Sequence, residues 1–116
     1  MQREKYASNP IEKVKRQIRE SRRKEKDPLA KRKEELKRLY GITIEDYAAM
    51  LESQGYVCAI CKEECKTKNS LSVDHDHKTG KVRGLLCNAC NRAIGMLKDS
   101  PEVLRRAADY LSDPNF

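Results

Sequence analysis

Apolar positions recur at helical spacing through the first third of the chain. Ile11, Val14 and Ile18 stand three or four residues apart. So do Leu29, Lys33, Leu36 and Leu39, with the aliphatic stem of Lys33 counted as apolar. Asp27-Pro28 interrupts the pattern, because proline disfavours helical geometry in the residue before it. The spacing predicts two helices, about 10–26 and 28–39, or one helix kinked at the proline. The apolar stripe is narrow, so these helices need packing or a bound polyanion for stability.

Further along, the signals change period. Tyr40-Gly41 suits a helix end, with glycine as the cap. Thr43 then reads as an N-cap, with Asp46 three residues later completing an approximate capping box. The predicted helix, about 44–54, carries Ile44, Tyr47, Ala48 and Leu51 on one face, and Gln54-Gly55 stops it. Leu71 to His75 alternates apolar and polar residues, as a short strand does. His77 to Lys81 carries a turn with Gly80, and Val82 to Leu86 reads as the returning strand. A helix follows through about Leu97. Ser100-Pro101 is the N-cap and first position of a last helix, with Val103, Leu104, Ala107, Ala108 and Leu111 on its apolar face and Asp113-Pro114 at its end. The fold class expected is α+β. A basic helical arm, 1–39, precedes a domain, 40–116, whose ββα core spans about 56–98.

Composition sharpens this picture. Of 116 residues, 38% are hydrophobic and 37% charged, with no Trp and one Phe. A core this thin needs a staple such as a metal or disulfides. The net charge is +7, and 15 of the 25 Lys and Arg lie in residues 1–39, against 10 in the remainder. That arm favours a polyanionic partner, although a solvated helix laced with i,i+4 ion pairs has the same composition. No apolar run approaches the roughly 20 residues of a membrane span, and the N-terminus lacks the apolar stretch of a secretory signal. Five Cys in such a chain imply a reducing, cytoplasmic setting and thiolate ligands, not disulfides.

Four of those Cys have metal-ligand spacing. Cys58 and Cys61 form one C-x-x-C, and Cys87 and Cys90 form a second, with 25 residues between the pairs. Two residues between thiols let one tight turn aim both sulfurs at one ion, and two such turns complete a tetrahedron. Four protein ligands leave no open position, so the expected ion is a structural Zn²⁺. Cys65 is the odd one out and reads as a bystander.

Between the pairs lie both histidines. Asp74 and His75 end the first predicted strand, His77 opens the turn, and Asn91 directly follows Cys90. A hairpin followed by a helix gathers Asp74, His75, His77 and Asn91. Neighbouring strand residues point to opposite faces, so a bulge or a strand end must bring Asp74 and His75 to one site. Arg83, Lys81 and Arg92 are candidate nucleic-acid contacts, although Lys81 suits a solvated hairpin face equally well.

These residues carry a family resemblance. Tyr40-Gly41-Ile42-Thr43, Tyr47, Met50-Leu51, Gln54-Gly55, Cys58-Ala59-Ile60-Cys61, Val73-Asp74-His75-Asp76-His77 and Lys81 through Asn91 together resemble the phage recombination endonuclease VII family, over about residues 38–98. The resemblance implies an HNH (ββα-metal) nuclease acting on DNA phosphodiesters, with Zn²⁺ on Cys58, Cys61, Cys87 and Cys90. It implies Mg²⁺ or Mn²⁺ on Asp74 and Asn91, His75 as general base, and His77 steadying the phosphate or the metal. The expected partner is double-stranded DNA in a phage-infected or prophage-bearing cell, with a homodimer and phage packaging proteins as further candidates. The long C-terminal portion that the phage junction resolvase uses for dimerisation and junction binding has no counterpart in this sequence. Resolution of branched DNA is therefore an alternative reading, as is a non-catalytic zinc-dependent nucleic-acid-binding module.

Overall fold

In the computed structural model, residues 10–64 and 71–115 are described. In chain order they form α1 (Pro10–Ser21), α2 (Pro28–Tyr40), α3 (Ile44–Ser53), β1 (Ser72–His75), β2 (Val82–Leu86), α4 (Asn88–Met96) and α5 (Pro101–Ser112). The two strands pair antiparallel. The class is thus mixed α+β, mostly helical, around one small hairpin.

Local chemistry explains most boundaries. The arm is two helices and not one kinked helix. α1 stops at Ser21, earlier than the spacing predicts, because residues 22–26 are all charged and offer nothing apolar to bury. Asp27, at φ 51°, then caps α2 by accepting from the Ala30 N–H at 3.3 Å, and Pro28 occupies the first turn. Gly41, at φ 69°, ends α2 in the left-handed conformation that glycine adopts without steric cost. Thr43 and Asp46 form the reciprocal capping box at α3. Ser100 caps α5 by accepting from the Val103 N–H.

A single buried cluster joins these elements. Val14 and Ile18 of α1, Leu36 of α2, and Ile44, Tyr47, Ala48 and Leu51 of α3 pack with Cys58, Leu71, Val73, Leu85 and Leu86. The basic helices therefore bury their apolar stripe against the same core as the hairpin. α1 packs on both α2 and α3. Leu39 is 54% exposed, although the spacing puts it on the inner stripe. Tyr40, four residues after Leu36, takes the inward place instead. The last helix buries none of its residues: Val103, Leu104 and Ala107 are half-buried, and Leu111 is 83% exposed.

Two polar residues bind α3 to the hairpin. The Tyr47 hydroxyl donates to the Leu71 carbonyl. The Gln54 amide acts as a surrogate strand. Its Nε2 donates to the Leu85 carbonyl at 3.0 Å and to the Val57 carbonyl at 2.8 Å, while the Leu85 N–H donates to its Oε1 at 2.9 Å. Residue 84 is glycine at this contact, where a Cβ would stand 3.2 Å from the Gln54 Oε1.

Gln54→Ala should leave the Leu85 N–H unpaired and lower stability by about 1–3 kcal/mol. Urea unfolding checks this, and equal midpoints for the two proteins would remove Gln54 from its bridging role.

Candidate metal centre and hairpin site

The metal centre is built from two turns. The chain leaves α3 into the first C-x-x-C, where the Ala59 N–H donates to the Leu85 carbonyl at 3.2 Å and docks the turn on β2. The end of β2 leads directly into the second. Cys87 is the N-cap of α4, and Cys90 lies in its first turn. All four sulfurs lie within 4.8 Å of one another, with Cys61 and Cys87 at 3.9 Å. A tetrahedron with metal–sulfur bonds of about 2.3 Å has edges of about 3.8 Å, so the cluster fits a metal such as zinc. Backbone N–H groups also point at the sulfurs, from Ile60 to Cys58 and from Cys90 to Cys87, each at 3.4 Å.

The thiols do not ionise alike. Burial opposes a charge on Cys58, yet N–H groups of Cys87, Cys61 and Ile60 outweigh it and bring its pKa to about 6. Burial, then the neighbouring sulfurs, push Cys90 up to about 12. Four adjacent thiolates repel one another, and a dication in their midst removes that conflict. Cys65 lies outside the described residues.

The hairpin breaks register at the expected place. Asp74 pairs with Gly84 and His75 with Val82, so Arg83 is the extra residue of a bulge. Its guanidinium reaches Asp74, with Nε to Oδ2 at 2.8 Å and Nη2 to Oδ1 at 3.0 Å. Nη2 also lies 3.3 Å from the Asp99 Oδ2. These carboxylates, Asp74 first, hold the Arg83 pKa above its ordinary value. Asp74 itself is 8% exposed.

Beyond the strand end, the chain turns sharply. Asp76 accepts from the N–H groups of Lys78 and Thr79, at 2.7 and 3.2 Å, which also holds its own pKa down. This turn brings the imidazoles of His75 and His77 to 4.8 Å between centroids. The Tyr40 ring lies 5.6 Å from that of His75. His77 Nε2 lies 3.7 Å from the Asp99 Oδ2.

The structure thus brings together the four cysteines, then Asp74 with Arg83, and then His75 with His77. Asn91 is half-buried in the first turn of α4, a helix that packs against both strands. Lys81 and Arg92 are exposed. Asp99 is the residue that sequence reading missed. It precedes the α5 cap in a left-handed conformation, φ 54°, and pairs with side chains 16 and 22 positions away in the sequence. No local spacing marks such a long-range partner. Beside His77, a charged groove of about 640 Å³ opens between the hairpin turn and the α4–α5 connection, lined by Asp76, Lys78, Arg83, Lys98 and Asp99.

The Asp74 carboxylate keeps acceptor capacity beside Arg83. A carboxylate offers about four lone-pair positions, and Arg83 takes two.

Purified protein should carry one tightly held metal ion per chain, and Cys87→Ser should lose it. The loss should collapse the thermal transition of the hairpin region, since such a centre contributes on the order of 10 kcal/mol to folding. A metal-free variant that melts like the wild type would show that the sulfurs are not a staple.

Comparison with known proteins accords with this geometry. The chain matches the family model of recombination endonuclease VII over residues 33–113. It is 55% identical to the Gene 59 protein of Mycobacterium phage D29 over 76 residues, which is 65% of this chain and 46% of that protein. It is 50% identical to the Gene 59 protein of Mycobacterium phage L5 over the same length and shares. The match thus spans about half the length of either relative. No solved structure matches. The chain belongs to the recombination endonuclease VII family.

Proposed function

We propose that this chain is a metal-dependent DNA endonuclease of the HNH (ββα-metal) type, with a structural Zn²⁺ on Cys58, Cys61, Cys87 and Cys90. The observation that supports it best is the register break between Asp74 and His75, in a chain of this family. A bulge re-aims side chains near a strand end, and here it turns Arg83 of β2 onto Asp74 while His75 begins the turn. The four-sulfur cluster anchors the start of α4, which carries Asn91 towards the hairpin.

In this reading His75 is the general base. Its imidazole takes a proton from a water placed in line with the scissile bond. Tyr40 and His77 flank that ring and limit its freedom. Asp74 and Asn91 would hold a hard divalent cation, Mg²⁺ or Mn²⁺, which when bound supplies charge neutralisation at the phosphate and the leaving 3′ oxygen. Arg83 orients the Asp74 carboxylate through two hydrogen bonds. Attack on the phosphorus and loss of the 3′ oxygen leave 5′-phosphate and 3′-hydroxyl ends. The charged groove beside His77 suits the sugar–phosphate chain better than an apolar ligand.

Nicking of supercoiled plasmid in Mg²⁺ tests the proposal. His75→Ala should lower the rate by about 10²–10⁴-fold while the thermal melt and the bound zinc stay as in the wild type. Equal cleavage by both proteins would refute the assignment.

A further inference from the structure

Helix α2 carries five cations, and they fall into two sets. Lys31 pairs with Glu25, Arg32 with Glu35, and Arg38 with Glu34. Lys33 and Lys37 are exposed and make no ion pair among the described residues. They stand at i and i+4, and Tyr40 follows at i+7, half-buried where their stripe borders the core. Tyr40 is the residue whose ring meets His75, at 5.6 Å between centroids. Two unneutralised positive charges therefore stand on α2 within two turns of the residue whose ring meets the imidazole.

Like charges at this spacing oppose helix formation. Three glutamates lie on or beside the same helix, yet each is engaged with another cation. An anion from outside the chain would relieve the repulsion. The scaffold also suits a fixed contact, because Leu36 is wholly buried between the two lysines in sequence and locks the helix onto the core. At about 1.5 Å of rise per residue, the two lysines stand about 6 Å apart along the axis. For a duplex lying parallel to α2, that span covers about two nucleotides of axial rise, at about 3.4 Å each.

We propose that Lys33 and Lys37 form a phosphate track that lays duplex DNA along α2 and delivers the backbone to His75. The inference rests on the nuclease reading and adds to it a second contact surface. That surface lies outside the hairpin and its metal centre. It assigns the binding role to one stripe of the basic arm and not to the arm's charge as a whole.

The test compares two double variants of the full chain. K33Q/K37Q removes the track, and K31Q/R38Q removes the same charge from carboxylate-paired positions of the same helix. Affinity for a short fluorescent duplex is measured by anisotropy across a salt series without added divalent metal, after checking that both variants melt like the wild type. For K33Q/K37Q the slope of log affinity against log salt should flatten by about 1.8, as expected for two lost phosphate contacts. The wild type's advantage over this variant should therefore shrink about tenfold between about 50 and 200 mM salt. K31Q/R38Q should keep a slope close to the wild type's. An unchanged slope in K33Q/K37Q, or equal flattening in both variants, overturns the track while leaving plasmid nicking by the wild type intact. A wild type that neither binds duplex nor nicks plasmid overturns the nuclease reading and the track together.

Discussion

Four sulfur atoms drawn within 4.8 Å of one another are the constraint on which this fold depends. One pair follows α3 and the other straddles the junction of β2 and α4. Their convergence ties three parts of the chain that the small apolar core alone would hold loosely. Among the described residues the core is twelve, drawn from helices, turns and strands alike. Without a cation, the thiols divide into one that gives up its proton easily and another that resists. Together the four sulfurs stand close enough to share one metal ion.

What the clamp positions is a hairpin with one irregularity. The bulge frees Arg83 to turn onto Asp74, and the end of β1 passes His75 into a turn stiffened by Asp76. Asp99 then draws Arg83 and His77 towards the connection between α4 and α5. The charged groups of the site are therefore held by one another and not by the core. Such an arrangement suits chemistry on a polyanion. Its carboxylates are held by Arg83 and by backbone N–H groups, His77 lies towards solvent, and the groove beside it carries charges of both signs.

Much of this was legible in the chain's punctuation. Gly41, Thr43 with Asp46, and Ser100 with Pro101 mark helix ends whose geometry follows from side-chain and backbone chemistry alone. The hairpin and the need for an irregularity at Asp74/His75 follow from strand periodicity. Less legible were choices made by tertiary packing. Tyr40 displaces Leu39 from the inner stripe, because the third dimension decides which of two adjacent apolar residues meets the core. The burial of Val14, Ile18 and Leu36 with the hairpin residues could not be seen in a run dominated by Lys and Glu. Gln54 and Asp99 make their contacts across 16 to 31 positions, a distance at which spacing carries no signal. Arg83 reads as a phosphate contact in sequence, whereas its nearest partners are carboxylates.

X-ray absorption at the zinc K-edge, on protein purified without added metal, probes the clamp itself. Four sulfur neighbours at about 2.3 Å are the predicted shell. A shell of nitrogen and oxygen, or protein that is folded and free of metal, would contradict the idea that the cysteines hold the hairpin against α4.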